Sequence, residues 1–173
     1  WTGEVGNRWL AHIDQFESMI GAIGDALLAE ADFRPGERVV DVGCGGGLTT
    51  LRIARAVGPQ GRVTGLDIAP QLIAVANQRR DAAGLANCTF QCADGQVAQA
   101  DGAPFDRLTS RFGVMFFSDS AAAFRNMRGW LKPGGEAVFA CWASPMANPW
   151  IGIVGAIINR FAEVPQRDPD GPG

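Results

Sequence analysis

Four glycines follow a short apolar segment between residues 39 and 47, which read Val-Val-Asp-Val-Gly-Cys-Gly-Gly-Gly. The three valines are β-branched and favour a strand that is buried on both faces. Glycine has no Cβ and tolerates positive φ, so a ligand can approach the backbone of this turn closely. A helix is predicted to start beside the turn, and its free amides and positive dipole end would face the same space. The pattern therefore predicts a ligand site beyond the first strand of an α/β sheet.

Aspartates stand at or near the ends of three predicted strands. Asp41 lies inside the first strand, Asp67 ends the second and Asp94 follows the third. A buried carboxylate is costly unless it is paired or hydrogen-bonded, so Asp41 predicts a cationic or polar ligand group nearby, such as an ammonium or a sulfonium. Asp67 lies about twenty residues beyond the glycine turn. Asp67 and Asp94 also have an interpretation as the N-cap of a following helix.

The glycine turn does not fit a dinucleotide fingerprint. That pattern is Gly-x-Gly-x-x-Gly, and aligning Gly43 and Gly45 with its first two glycines puts Leu48 at the third. A nicotinamide-dependent oxidoreductase is therefore the less favoured alternative.

Strand-like and helix-like segments alternate along the chain, which predicts an α/β fold with a doubly wound parallel sheet. The predicted strands are residues 38–42, 62–67, 88–92, 106–112 and 135–142. The predicted helices are residues 47–57, 70–83 and 119–131, with a short helical turn near 95–100. Pro133-Gly134-Gly135 is expected to lead from the last of these helices into the last strand.

Helical additions flank this sheet. From Trp9 to Leu28 apolar residues recur at helical spacing, with Gly21 and Gly24 as candidate breaks between two helices. We expect residues 1–34 to form a helical cap or lid, with packing against the sheet as the alternative role. Residues 35–143 are expected to form the ligand-binding domain, and residues 144–173 a substrate-side loop, an apolar helix and a tail rich in Pro and Gly. Because the chain starts at Trp1 rather than Met, we also expect N-terminal residues to have been removed.

With these motifs in register, the sequence resembles the class I S-adenosylmethionine-dependent methyltransferases. The matching segments, in order, are VVDVGCGGG at residues 39–47, VTGLDI at 63–68, FQCADG at 90–95, the segment from 104 to 117, and LKPGG at 131–135. The resemblance implies a Rossmann-like sheet in the strand order 3-2-1-4-5, and S-adenosylmethionine as cofactor. Seven-stranded members end in an antiparallel hairpin, which is absent after Trp142, so we expect part of the acceptor pocket to be missing.

The resemblance implies roles for residues at the strand ends. Asp67 would bind both ribose hydroxyls, and Ile68 would cover the adenine. Asp94 would read the adenine amino group beside a backbone amide. Arg111 would pair with the methionine carboxylate, because its planar fork can meet a carboxylate bidentately, or it would be a surface residue. The complete expected cofactor-binding set is Asp41, Gly43, Cys44, Gly45, Gly47, Thr49, Asp67, Ile68, Asp94, Gly95 and Arg111.

The implied reaction is an in-line SN2 transfer of a methyl group to a small molecule. Ser110-Arg111-Phe112-Gly113 stands where enzymes that methylate amide or exocyclic amino nitrogens often have an Asn/Asp-Pro-Pro-aromatic motif, and it is more similar to the ubiquinone and menaquinone biosynthesis group. His12, the only histidine, is the predicted general base, with Asp14 and Glu17 as other candidates and a structural role as the alternative. An apolar rim is expected to hold a hydrophobic or aromatic acceptor, formed by Trp9, Phe112, Met115, Phe116, Trp142, Trp150 and Ile151.

Composition limits the classes of partner that the chain is expected to bind. A net charge of -3 and a pI near 5.1 argue against a nucleic-acid partner, which requires clustered Lys and Arg. No apolar run is long enough to span a membrane and no signal peptide is visible, so we expect a cytoplasmic protein. The segment 150–161 is apolar enough for a buried or dimer-forming helix, which makes a homodimer one possible assembly.

Cysteine spacing argues against a metal site. None of the four cysteines shows a CxxC pair, so we expect reduced and mostly buried thiols and no bound metal. A protein that binds S-adenosylmethionine or S-adenosylhomocysteine without turnover remains the alternative to an enzyme, because binding alone would need the same three aspartates.

Overall fold

The computed structural model describes residues 10–162, which form one five-stranded sheet flanked by helices. All four strand pairings are parallel, and the order β3-β2-β1-β4-β5 confirms the predicted Rossmann-like, doubly wound fold. The strands are β1 Arg38–Val42, β2 Arg62–Asp67, β3 Cys88–Cys92, β4 Phe105–Arg111 and β5 Leu131–Ala140. Among residues 10–162 no antiparallel strand follows β5.

Six α-helices accompany the sheet in the described part of the chain. They are α1 Ile13–Met19, α2 Gly21–Ala31, α3 Leu48–Val57, α4 Pro70–Ala83, α5 Ser120–Trp130 and α6 Pro149–Ile158. Local signals set several boundaries. Pro70 lies in the first turn of α4, where its missing N–H costs nothing, and Gly84 ends that helix in the left-handed conformation. Asp119 caps α5 by accepting a hydrogen bond from the Ala122 N–H at 2.8 Å.

Alternating side chains of β1 fill two apolar layers. Val39 packs with Ile53 and Val57 of α3 on one face of the sheet. Val40 and Val42 point to the other face, towards Met127 and Trp130 of α5 in the same cluster. This period of two directs Asp41 towards the α3 side, although α3 otherwise presents apolar residues there. A polar partner on α3 is therefore required.

The structure corrects the predicted start of β5 and the end of β4. β5 begins at Leu131, before Pro133 and Gly134, and not at residue 135. Gly134 adopts φ +79°, and the register between β4 and β5 shifts there, so the Pro-Gly-Gly segment interrupts a strand that has already begun. β4 ends at Arg111, because Phe112 has φ +68° and leaves the extended conformation.

Smaller predictions are also resolved. Residues near 95–100 form a single turn in which Val97 and Ala98 donate to the carbonyl of Asp94. The two N-terminal helices meet at Ile20, while Gly24 lies inside α2.

The prediction of mostly buried thiols is wrong for two of the four free cysteines: Cys44 and Cys88 are buried, but Cys92 and Cys141 are exposed. Between residues 10 and 162, no helix has the length and apolar character needed to cross a membrane.

Candidate functional site

A cavity of about 290 Å³ opens at the carboxyl ends of the parallel strands. Asp41, Asp67 and Asp94, from three neighbouring strand ends, line it together with Arg111 at the end of β4. The structure therefore brings together the charged residues that the sequence predicted for one site. The remaining predicted members that line the cavity are Gly43, Cys44, Gly45, Thr49, Ile68 and Gly95.

Two predicted site residues lie elsewhere. Gly47 is not among the lining residues, because it faces Ala76 and Phe90. His12 is exposed just before α1, with its ring edge-on to Phe16 at 6.3 Å, and it does not line the cavity.

The first glycine of the turn is required by a close approach to a second glycine. Gly43 has φ +69°, and a Cβ built on it would lie 2.6 Å from the Cα of Gly113. A Cβ on Gly113 would lie 2.5 Å from the carbonyl oxygen of Val42. Side chains are therefore excluded from both positions, and the floor of the cavity is bare backbone.

The other positions of the turn are occupied by glycine for different reasons. Gly45 has φ +54°, and a Cβ there would meet nothing within 4 Å, so its open side faces free space. A Cβ on Gly46 would instead lie 2.5 Å from Ile13 Cδ1 and 2.7 Å from Arg79 Nη1. Gly47 has φ +82° and closes the turn before α3. One glycine-rich segment thus combines ligand access with close packing of α1.

Asp41 is a buried carboxylate at the inner end of the cavity. It is 1% exposed, and its Oδ2 accepts a hydrogen bond of 2.6 Å from Thr50 Oγ1 of α3. Burial raises the pKa of Asp41 to about 6, while the Thr50 hydrogen bond and the Arg111 guanidinium oppose that rise. At neutral pH this group is mostly ionised and can attract a ligand cation.

Asp67 holds the glycine turn as well as facing the cavity. Its Oδ2 accepts from the Gly45 N–H at 2.8 Å, and its Oδ1 accepts from the Ala69 N–H at 2.9 Å. Burial raises the pKa of Asp67, and these backbone donors oppose the rise. The N-cap interpretation of Asp67 is wrong, because the N-cap of α4 is Ala69 and Asp67 bonds to the N–H of that residue. Each oxygen of Asp67 retains accepting capacity towards the cavity.

Asp94 and Ile68 occupy the cavity wall beside β2 and β3. Asp94 Oδ1 accepts from the Gln96 N–H at 2.8 Å and so caps the short turn that follows. Ile68 is 48% exposed and lines the cavity. Both side chains can contact a planar group lying over this wall.

Arg111 adds a half-buried cation to the cavity that the acids line. Its Nη1 lies 3.5 Å from the Ile20 carbonyl oxygen, and the guanidinium packs under Gly24 of α2. Burial lowers the pKa of Arg111, and the carboxylates of Asp41 and Glu17 oppose that shift. The surface interpretation of Arg111 is therefore wrong.

The sequence named Glu17 as a candidate base and Phe112 as part of the apolar rim, but it predicted neither the ion pair of Glu17 nor the backbone conformation of Phe112. Glu17 of α1 lines the cavity, where it is bonded to Arg79 of α4. Phe112 also lines the cavity in a left-handed backbone conformation, and its ring stacks on Trp142 at 4.6 Å. The spacing of Glu17 four residues after Ile13 indicated a shared helix face, but its partner lies 62 residues away.

The predicted apolar rim is described in part. Phe116 lines the cavity with Phe112, and the Trp142 N–H donates to the Met115 sulfur at 3.4 Å. Trp9 and the side chains of Trp150 and Ile151 lie outside the described part of the chain.

Comparison with known proteins gives the family. Residues 39–135 match the family model described as a methyltransferase domain. Aklanonic acid methyltransferase DauC of Streptomyces sp. strain C5 is 35% identical over 104 residues, which are 60% of this chain and 47% of that protein. Demethylmenaquinone methyltransferase of Bacillus cytotoxicus is 32% identical over 107 residues, which are 62% of this chain and 45% of that protein. The chain thus spans about half the length of the curated relatives it matches.

A solved structure has the same fold. The S-adenosylmethionine-dependent methyltransferase from Aquifex aeolicus superposes with a TM-score of 0.59 at 21% identity, covering 64% of this chain and 58% of that one. The order of the sequence motifs, the order of the strands in the sheet and the matched family model all indicate the same family. The chain belongs to the methyltransferase domain family, within the class I S-adenosylmethionine-dependent methyltransferases.

Proposed function

We propose that this chain binds S-adenosylmethionine in the cavity and transfers its methyl group to a small hydrophobic or aromatic acceptor. The observation that supports this most strongly is the convergence of Asp41, Asp67 and Asp94 on a single cavity beside the glycine turn. S-adenosylmethionine has ribose hydroxyls, an adenine amino group and an ammonium group, all of which donate hydrogen bonds. Three carboxylates on neighbouring strands supply the acceptors for these groups.

The residues at one end of the cavity suit an adenosine group. Asp67 would accept from the ribose hydroxyls, since each of its oxygens now holds one backbone hydrogen bond and can accept another. Ile68 would cover the adenine face, and Asp94 with the Gly95 amide would read the adenine edge. The open side of Gly45 leaves room for the ligand to lie against the backbone.

The residues at the other end suit an amino acid group. Asp41 would attract the ammonium, and the Arg111 guanidinium would bind the carboxylate. Their opposite charges face one cavity, and each opposes the shift that burial causes in the pKa of the other. This arrangement would fix the direction in which the ligand lies.

Catalysis in this proposal is mainly alignment. S-adenosylmethionine, when bound, supplies an electrophilic methyl group for in-line SN2 displacement. Holding two reactants in attack geometry can contribute about 7–11 kcal/mol, so the chain needs no nucleophile of its own. Among the candidate bases, only Glu17 lines the cavity, whereas Asp14 is largely exposed and His12 lies outside the lining. His12 as the base remains a prediction, which an unchanged turnover and pH profile of His12→Asn would contradict.

Aromatic side chains support the proposed acceptor class. Phe112 and Phe116 line the cavity, and the Phe112 ring stacks on Trp142. A flat apolar acceptor would pack against such a surface. The names of two relatives, aklanonic acid methyltransferase and demethylmenaquinone methyltransferase, support a small quinone-type or related acceptor.

The proposal includes a division of labour along the chain. Residues 1–34 would act as the cap, residues 35–143 as the cofactor-binding domain and residues 144–173 as the substrate side. A cytoplasmic location, a homodimer and the absence of a nucleic-acid partner belong to the same proposal.

Turnover distinguishes an enzyme from a cofactor-binding protein. We expect acceptor-dependent formation of S-adenosylhomocysteine when the chain is incubated with S-adenosylmethionine and a panel of phenols, quinols and amines, with a phenol or quinol preferred. Binding of S-adenosylhomocysteine without any product across the panel would contradict the methyltransferase proposal and favour a binding protein without turnover.

A further inference from the structure

The N-terminal helix α1 is fastened to α4 beside the glycine turn. Side chains at spacings of three and four residues on each helix form one contact, apolar at one end and charged at the end near the cavity. The contact consists of Ile13 and Glu17 of α1 with Leu10 just before it, and of Leu72, Val75 and Arg79 of α4 with its N-cap Ala69.

A single guanidinium makes the charged end of this contact. Arg79 Nη1 donates to Glu17 Oε1 at 2.9 Å and to the Gly46 carbonyl oxygen at 3.0 Å. Its Nη2 donates to Asp14 Oδ1 at 2.8 Å. Arg79 therefore joins three segments, α1, α4 and the glycine turn, through the planar fork that distinguishes arginine from lysine.

Burial shows which of these bonds matters. The Glu17 side chain is 9% exposed and the Arg79 side chain 25%, whereas the Asp14 side chain is 89% exposed. An exposed ion pair contributes little, but a buried carboxylate that loses the cation to which it is hydrogen-bonded is strongly disfavoured. Glu17 with Arg79 is thus the pair on which the position of α1 depends.

No free space lies between the Glu17–Arg79 pair and the glycine turn. Gly46 lies so close to Ile13 and Arg79 that a Cβ on it would overlap both. Glu17 and Ile20 form the cavity wall on this side. A displaced α1 would therefore open the cavity next to the glycine turn.

We propose that Arg79 is a positioning residue that holds α1 on the glycine turn and so keeps α1 as a wall of the cofactor cavity. The inference rests on the proposed function for its effect on cofactor binding. Arg79 is not a lining residue of the cavity, so it acts through Glu17 and Gly46.

Hydrogen exchange tests the structural half without any ligand. In Arg79→Gln we expect amides of residues 13–19 to exchange about tenfold faster, while those of β1 keep their rates. Arg80→Gln is the matched control, because Arg80 is the next residue of α4 and its guanidinium bonds to the adjacent Asp81. Unchanged exchange in residues 13–19 of Arg79→Gln would overturn the proposal.

Calorimetry with S-adenosylhomocysteine tests the binding half. We expect the Kd to rise about tenfold in Arg79→Gln and to stay unchanged in Arg80→Gln. Arg79→Lys should recover part of the loss, since lysine keeps the charge beside Glu17 but cannot serve three acceptors. Equal Kd values for Arg79→Gln and the unaltered chain would overturn the positioning role. If the unaltered chain bound no S-adenosylhomocysteine, the proposed function would fail, while hydrogen exchange would still decide whether Arg79 holds α1.

Discussion

Asp41 shows most clearly that the site lowers the stability of the folded chain. A carboxyl that is 1% exposed and close to an apolar layer opposes folding when it is ionised. Thr50 and Arg111 offset part of that cost, yet the pKa still rises to about 6. A ligand ammonium would offset the rest, which explains why an acid is tolerated there.

This cost predicts an unusual pH dependence of stability. Because the folded-state pKa of about 6 lies above the ordinary value of 3.8, protonation of Asp41 favours the folded chain. That contribution is complete below pH 3.8 and is lost as the pH rises through about 6. Asp41→Asn keeps an acceptor for Thr50 and removes the titration. We expect its unfolding free energy, relative to the unaltered chain, to increase between pH 4 and pH 7 by up to about 3 kcal/mol.

Urea unfolding at several pH values, without ligand, measures this difference. The substitution should also weaken binding of S-adenosylmethionine at pH 7, because the attraction for a cation is lost. A stability difference that stays constant between pH 4 and pH 7 would show that Asp41 does not titrate in this range.

Some features of the site could be predicted from the sequence, and others could not. Asp41 and Asp67 were predictable because each stands at a fixed distance from the glycine turn in a parallel sheet. The pairing of Glu17 with Arg79 was not, since it joins residues 62 positions apart and depends on how α1 packs on α4. The left-handed φ of Phe112 also escaped prediction, because phenylalanine has no preference for it.

At the scale of elements, the junction after β4 holds the floor of the cavity. Ser110 Oγ donates to the Val42 carbonyl oxygen at 2.6 Å and accepts from the Val114 N–H at 3.2 Å. These bonds draw the 3-10 turn Gly113–Phe116 onto the end of β1. Gly113 and Gly43 then meet backbone to backbone, where no side chain fits.

This contact predicts that Gly113→Ala is harmful. The added Cβ would lie 2.5 Å from the Val42 oxygen and 2.7 Å from the Gly43 Cα, so β1 and the 3-10 turn must separate. We expect a loss of about 1–3 kcal/mol in unfolding free energy, together with weaker binding of S-adenosylhomocysteine.

Gly129→Ala is the matched control for this substitution. Gly129 lies in α5, and a Cβ there would meet nothing within 4 Å. Alanine at that helical position should stabilise the chain by about 0.5–1 kcal/mol. Thermal and urea unfolding of both variants would check the pair, and equal stabilities would contradict the close approach of the two backbones.

The elements themselves were largely predictable. β1, β2 and β3 have the predicted bounds, because short segments with strand-favouring residues such as valine, threonine and phenylalanine are bounded there by glycine or polar turns. β5 was misplaced because Pro and Gly ordinarily start a new element, whereas here pairing with β4 begins at Leu131 and the turn residues form an irregularity within the strand. Long-range pairing overrode a local signal.

At the scale of the whole molecule, the described chain has two different surfaces. One surrounds the cavity and carries charged side chains from β1, β2, β4 and α1 and from the segment after β3. The other lies after β5, where α6 and the residues beyond it expose large apolar side chains, including Ile153 at 60% and Phe161 at 85%. Large exposed apolar patches commonly mark contact surfaces. The chain spans about half the length of the curated relatives it matches, so the proposed activity concerns the cofactor side of the site most directly.

Calorimetric titration of the chain with S-adenosylhomocysteine, with NAD as the competing ligand class, tests the central claim most directly. We predict saturable binding of S-adenosylhomocysteine at one site and none of NAD. Asp67→Ala should weaken that binding by about 1–3 kcal/mol, because it removes the proposed acceptor of the ribose hydroxyls and the carboxylate that holds Gly45. Asp101→Ala, which changes an exposed acid outside the cavity lining, should bind as the unaltered chain does. Tight binding of NAD without binding of S-adenosylhomocysteine, or an Asp67→Ala variant with full affinity, would contradict the account.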